Sequence, residues 1–155
     1  MNGYLRHFLA AGLALAVVVA GAAITAPAYA DAVKDRQAAM KDISKANKAL
    51  GAAVKKGDKA AVEKQAMMIV AIAEKVPTLF PAGTDNKKLS TKVTGAKPDI
   101  WMKWDEFKAG AGKLKAAAMQ VASAAKGGGD MAAAAKAMGG ACGGCHKVFR
   151  AKKTK

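Results

Sequence analysis

Apolar residues in this 155-residue chain recur at alternating steps of three and four, the period of one face of a helix. Val33, Arg36 or Gln37, Met40, Ile43, Asn47 and Leu50 form one stripe, which predicts a first helix with Asp31 as N-cap and Gly51 as its stop. Gly57-Asp58 opens a second helix with Asp58 as N-cap, and Val62, Ala66, Ile69, Ala73 and Val76 make its seam. Pro77 ends it, because the residue before a proline is pushed out of the helical region. Residues 80–97 carry Pro81, Gly83, Thr84, Asp85, Asn86 and Gly95 and read as a long crossover loop. Pro98 starts the third helix, in which Ile100, Trp104, Phe107, Ala111, Leu114, Ala118, Val121 and Ala125 keep the rhythm. Gly127-Gly128-Gly129 breaks it, and Asp130 caps a fourth helix with the seam Met131, Ala135, Met138, Cys142, Cys145 and Phe149. The pattern predicts an all-α chain folded as an antiparallel four-helix bundle.

The first thirty residues stand outside this pattern. A short start carrying Arg6, an apolar run from Phe8 to Ala23 and the small-x-small site Ala28-Tyr29-Ala30 describe a cleavable export signal over residues 1–30. The run is shorter than the roughly twenty apolar residues of a membrane anchor, and it breaks at Thr25 and Pro27. No Arg-Arg pair is present, which favours the general secretory route. The expectation is a periplasmic protein folded from residues 31–155, a single-domain length.

Composition changes the picture in two ways. Many seam positions are alanine and only 5% of residues are aromatic, so the bundle core is thin and a flat, apolar cofactor is expected to fill its middle. The formal net charge is +15, and Arg6 is the only strong charge in the export signal. So basic a surface points to acidic partners. Nucleic acid is disfavoured, because the lysines are spread along helices with no aromatic platform between them.

The chemistry gathers at Cys142-Gly143-Gly144-Cys145-His146, the Cys-x-x-Cys-His pattern of covalent haem attachment. On a helix, positions i and i+3 lie one turn apart on one face, so both thiols reach neighbouring vinyl groups of a porphyrin. The next histidine then offers a nitrogen to the iron. Gly143 and Gly144 let the backbone approach the ring. A structural disulfide and a thioredoxin-type redox pair compete for the same residues, although the redox pair normally opens a helix after a strand. A zinc site needs about four ligands, and His146 is the only histidine beyond the signal. One covalent haem c is the reading that uses all five residues.

A lone histidine leaves the sixth iron position to a methionine, a lysine, an exogenous ligand or nothing. The candidate methionines are Met40, Met67, Met68, Met102, Met119, Met131 and Met138. Met131 and Met138 share a helix with His146 and sit poorly for the opposite face of the ring. Met40 points inward from the first helix, yet spacing does not choose it over Met67, Met68 or Met119.

Over nearly the whole mature chain the sequence resembles the class II cytochromes c, the cytochrome c-prime group and its low-spin relatives. The resemblance is carried by Arg36-Gln37-Ala38-Ala39-Met40-Lys41, Leu79-Phe80-Pro81-Ala82-Gly83-Thr84, Lys97-Pro98-Asp99-Ile100-Trp101 and the C-terminal segment Cys142 to Arg150. It implies an antiparallel four-helix bundle in the periplasm, often a homodimer, with haem near one end. It implies thioether links at Cys142 and Cys145 and proximal ligation by His146. Arg150 is implied beside the proximal imidazole, Arg36 near a haem propionate, and Met40 at the distal position.

In low-spin members a methionine from this region ligates the iron and the protein carries electrons. In high-spin members an apolar side chain only covers an open iron that admits nitric oxide or carbon monoxide. The Met-Lys-Asp run at 40–42 looks more like the first group, and Arg36 is typical of the second. The leading expectation is therefore a periplasmic electron carrier with His146 and Met40 as iron ligands, steered to acidic redox partners by lysines such as Lys147, Lys152 and Lys153. A gas-binding high-spin protein is the alternative, and a thiol-disulfide oxidoreductase is the third reading.

Overall fold

The computed structural model describes residues 26–85 and 94–152, with side chains in the first stretch from Asp31 onward. The expected export signal as far as residue 25, the loop positions 86–93 and Lys153 lie outside the described residues. The chain forms α1 (Ala26–Lys56), α2 (Lys59–Lys75), a 3-10 turn (Val76–Leu79), α3 (Asp99–Met102), α4 (Trp104–Gly127) and α5 (Met131–Phe149). The four long helices make the expected bundle: α1 packs on α2, α2 on α4 and α4 on α5, while α1 and α5 barely touch. Two ion pairs, Glu63–Lys126 and Glu74–Lys115, each 3.0 Å, link α2 to α4. They lie eleven residues apart on both helices, which fixes the antiparallel register.

Most helix ends follow the residues that predicted them. The Asp58 carboxylate accepts from Ala61 N–H at 2.9 Å, and that of Asp130 accepts from Ala132 and Ala133 N–H. At Pro77 the expected end is found but not for the expected reason: Val76, just before it, stays in the right-handed helical region (φ −49°, ψ −46°), and α2 runs straight on into the 3-10 turn. Gly128, at φ 76°, ends α4 in the left-handed conformation that glycine adopts at little cost.

The first helix departs from expectation at both ends. It begins at Ala26, so Asp31 lies inside it and caps nothing. It also passes through Gly51 to Lys56, because the stop signal sits at Gly57. There φ is 69°, Gly57 N–H bonds Val54 C=O, and Asp58 N–H reaches back to Ala53 C=O, a Schellman closure. Gly51 has no such conformation to impose. Asn47 is exposed and Ala46 takes the buried place between Ile43 and Leu50. Both registers satisfy a three-four rhythm, but burying an unbonded amide costs free energy and burying a methyl does not.

The predicted third helix is divided at Lys103, whose φ of −116° and ψ of 49° end α3 and start α4. The break lets Ile100 and Trp101 face the segment after α2: Trp101 Nε1–H donates to Pro81 C=O at 3.1 Å.

The core is segregated by residue size. Ala46, Leu50, Ala53, Val62, Ala66, Ile69, Val70, Ala118, Val121, Ala122, Ala125 and Met138 form a cluster of mostly small side chains. That half closes on itself, so no cofactor is needed in the middle of the bundle. The five aromatic residues with described side chains gather with Ile43, Val76, Ala96, Ile100 and Ala111 in a second cluster, where Phe80, Phe107 and Phe149 are buried. Cys145 and Met40 pack against this second cluster. The thin-core expectation is thus corrected to one end.

Candidate haem attachment site

Cys142, Cys145 and His146 lie in the last turns of α5, with both thiols half-buried and not joined as a disulfide. Spacing of three places the two cysteines on one face, and Cys145 packs on the aromatic cluster. Across from it, Gly110 of α4 presents only backbone: a β-carbon there would sit 3.4 Å from Cys145 Sγ. Gly143 and Gly144 are exposed and leave open space where β-carbons would project.

The C-terminus of α5 is held from outside the helix. Lys97 N–H donates to Phe149 C=O, and Ala151 N–H donates to Gly95 C=O, both at 3.0 Å, around an antiparallel bridge between Ala96 and Arg150. Arg150 therefore leaves the helix in extended conformation, and its Nη1 comes to 3.5 Å from His146 Nδ1. Partial burial, and then the charge of Arg150, lower the pKa of His146. A neutral imidazole has a nitrogen lone pair to give to a metal.

The thiols are shifted the other way. Burial raises the pKa of both Cys142 and Cys145, and for Cys145 the neighbouring Cys142 adds to the rise. A thiol–disulfide enzyme needs a stabilised thiolate, commonly at a helix N-terminus. Here the pair sits near the negative end of the α5 dipole, on a thiol-favouring surface. Among the described residues no group of three or more His, Cys, Asp or Glu is arranged to hold a bare metal ion.

Arg36 and Met40 stand one turn apart on α1. Arg36 is 2% exposed, among the most buried of the larger side chains. Its guanidinium lies 5.0 Å from the Phe80 ring centroid and 5.6 Å from that of Trp101, and Nη1 donates to Thr84 Oγ1 at 3.5 Å. Thr84 in turn donates to Pro81 C=O at 2.7 Å. Met40 is half-buried against the cluster that also meets Cys145. The structure thus brings Met40 and Cys145 to one end of the bundle, from two helices that barely touch. A flat apolar ring attached through two thiols fits this donor set: paired cysteines, a neutral imidazole, a glycine facing one sulfur and an aromatic wall. Met67, Met68, Met102 and Met119 are exposed, and Met138 is sealed in the small-residue cluster.

Thr84, Phe80, Trp101 and Gly110 were not predicted as site-forming. Phe80 and Thr84 lie in the segment 79–84 and Trp101 in 97–101, both marked only by family resemblance, and Gly110 carries no signal. Lys147 and Lys152 are exposed as docking lysines would be.

The family profile described as Cytochrome C′ matches residues 31–150, and the chain belongs to the cytochrome c′ family. It is 42% identical over 123 residues to a cytochrome c′ of Pararhodospirillum photometricum, covering 76% of this chain and 94% of that protein. It is 36% identical over 126 residues to cytochrome c-556 of Agrobacterium fabrum, covering 78% and 82%. A solved cytochrome c′ described as having an unusual ligand-controlled dimer dissociation superposes with a TM-score of 0.69 at 25% identity, covering 80% of this chain and 97% of that one. The protein is accordingly a four-helix-bundle cytochrome whose cofactor is one covalent haem c.

Proposed function

We propose that this protein is exported to the periplasm, loses residues 1–30, and works as a high-spin cytochrome c′ that binds nitric oxide or carbon monoxide. When bound, the haem would supply a redox-active iron able to take a diatomic ligand. Cys142 and Cys145 hold it through thioethers, and His146 donates the proximal nitrogen. Partial burial and then the charge of Arg150 favour the neutral form of that imidazole. Arg36, fixed by Thr84, Phe80 and Trp101, offers its charge to a propionate.

The observation that carries the reading is the match of residues 31–150 to the cytochrome c′ family. Met40 is half-buried against the cluster that includes Ile43, Phe80 and Phe107, the usual place of a flexible thioether. In this reading Met40 covers the distal side of the haem and does not ligate the iron. The 42% identity to a cytochrome c′ supports the same choice over the electron-carrier expectation. Among the described residues no helix is long and apolar enough to cross a membrane. Half-exposed Met67 and Met68 on α2 give a second copy apolar surface to meet, and the solved cytochrome c′ described as having a ligand-controlled dimer dissociation supports a homodimer.

One observation favours a second reading. The c-556 relatives, at 36% identity, keep open a low-spin electron carrier in which Met40 Sδ ligates the iron and acidic proteins dock at the haem edge. An absorption spectrum of the reduced protein with and without carbon monoxide separates the two. A broad band that shifts with carbon monoxide is expected. A sharp, split spectrum indifferent to carbon monoxide, converted to the broad form by Met40→Ala, overturns the proposal in favour of the carrier.

A further inference from the structure

The outward face of α1 carries a row of cations that the haem site does not use. Lys34, Lys41, Lys45, Lys48 and Lys55 follow one another at steps of seven, four, three and seven, which keeps them on one line along the helix. All five are exposed. The line lies opposite the buried stripe of Arg36, Ile43, Ala46 and Leu50, and it is about 30 Å long at 1.5 Å per residue. The acidic residues of the helix, Asp31, Asp35 and Asp42, share a separate flank about 90° round the axis. Only Lys45 reaches one of them among the described residues, with Nζ 3.6 Å from Asp42 Oδ1, both side chains more than half exposed. A face laced with ion pairs alternates its charges; this one separates them.

We propose that this lysine ridge docks the protein on the anionic headgroups of a lipid bilayer. Shape and composition select that partner. Protein interfaces centre on buried aromatic or arginine anchors and are depleted in lysine, whereas the residues between these lysines include Gln37, Ala38 and Ala52 and offer no anchor. A straight row of flexible, strongly hydrated point charges suits a flat, fluid array of phosphates, which a polybasic segment meets without inserting. A second copy of the chain is a poor partner, because two such ridges would face each other with like charge. Docking by the outer face of α1 leaves Met40 and Cys145 within the bundle, so the inference does not depend on what Met40 does.

The test uses haem-loaded protein purified from the periplasm and sedimentation with vesicles of phosphatidylcholine alone or with phosphatidylglycerol. Binding only to the phosphatidylglycerol vesicles is expected, falling steeply as salt shortens the screening length to a few ångströms. Replacing the five ridge lysines by glutamine is expected to weaken binding at least about tenfold. Replacing Lys59, Lys75, Lys103, Lys113 and Lys136, which removes the same charge elsewhere, is expected to weaken it much less. All ten side chains are exposed, and an unchanged haem spectrum and helical circular dichroism check that each variant is folded. Equal loss in both variants, or no binding to phosphatidylglycerol vesicles, overturns the proposal. Ridge-dependent retention on polyglutamate without vesicle binding also overturns it, in favour of an acidic protein.

Discussion

Gly110 of α4 faces Cys145 of α5, and a β-carbon at position 110 would just touch the cysteine sulfur, at 3.4 Å, while larger side chains would reach past contact. Two residues on, Gly112 has open space where its β-carbon would project. Both glycines lie inside a 24-residue helix, where each costs up to about 1 kcal/mol relative to alanine. Gly112→Ala is expected to stabilise the protein by about that amount in denaturant unfolding. Gly110→Val is expected to crowd the sulfur and reduce double thioether attachment, leaving a free thiol at Cys145 that mass spectrometry of denatured protein would detect. Full double attachment in Gly110→Val would show that the glycine is not needed there.

The aromatic end is held by Phe107, 3% exposed and flanked by Phe80, Phe149 and Trp104 at centroid distances of 4.8, 5.3 and 5.6 Å. Truncating it leaves a cavity that edge-on rings fill poorly. Phe107→Ala is expected to cost about 3–5 kcal/mol, and Phe107→Leu much less. Guanidinium unfolding of the two variants checks the order, and a loss below about 1 kcal/mol for the alanine variant contradicts this packing.

Arg36 meets two rings and one hydroxyl through a flat guanidinium, a geometry that an ammonium does not reproduce. Arg36→Lys keeps the charge and is expected to lose about 1–2 kcal/mol of stability. A double-mutant cycle with Phe80→Leu should find the two losses coupled. Strict additivity would mean that the ring contact contributes nothing.

The last helix depends on a single cap. The Asp130 carboxylate accepts two backbone N–H groups at 2.9 Å each, so Asp130→Ala should cost about 1 kcal/mol and lower the melting temperature by a few degrees. Asp105, exposed in the first turn of α4 and paired with Lys108 at 2.9 Å, is the control. Its replacement should cost a few tenths of a kcal/mol.

The sequence by itself determined what local chain chemistry encodes. Helical period follows from side-chain spacing within a few turns, so the bundle and the seams from Val62 to Val76 and from Ile100 to Ala125 were legible in it. The caps Asp58 and Asp130 were legible because a cap bonds backbone only two or three residues away. The attachment motif was legible because one turn of helix brings Cys142, Cys145 and His146 together.

What depended on partners distant along the chain was decided by the tertiary structure. Periodicity was indifferent between Asn47 and Ala46, and burial chose the residue without an amide to satisfy. Gly51 looked like a stop, but only Gly57 takes the positive φ that closes the helix. Composition counted few aromatic residues without saying that they gather at one end. Arg36 meets Thr84 across 48 positions, and Gly110 meets Cys145 across a helix boundary. Such contacts are made through space, and they become visible only when the helices that carry them are packed.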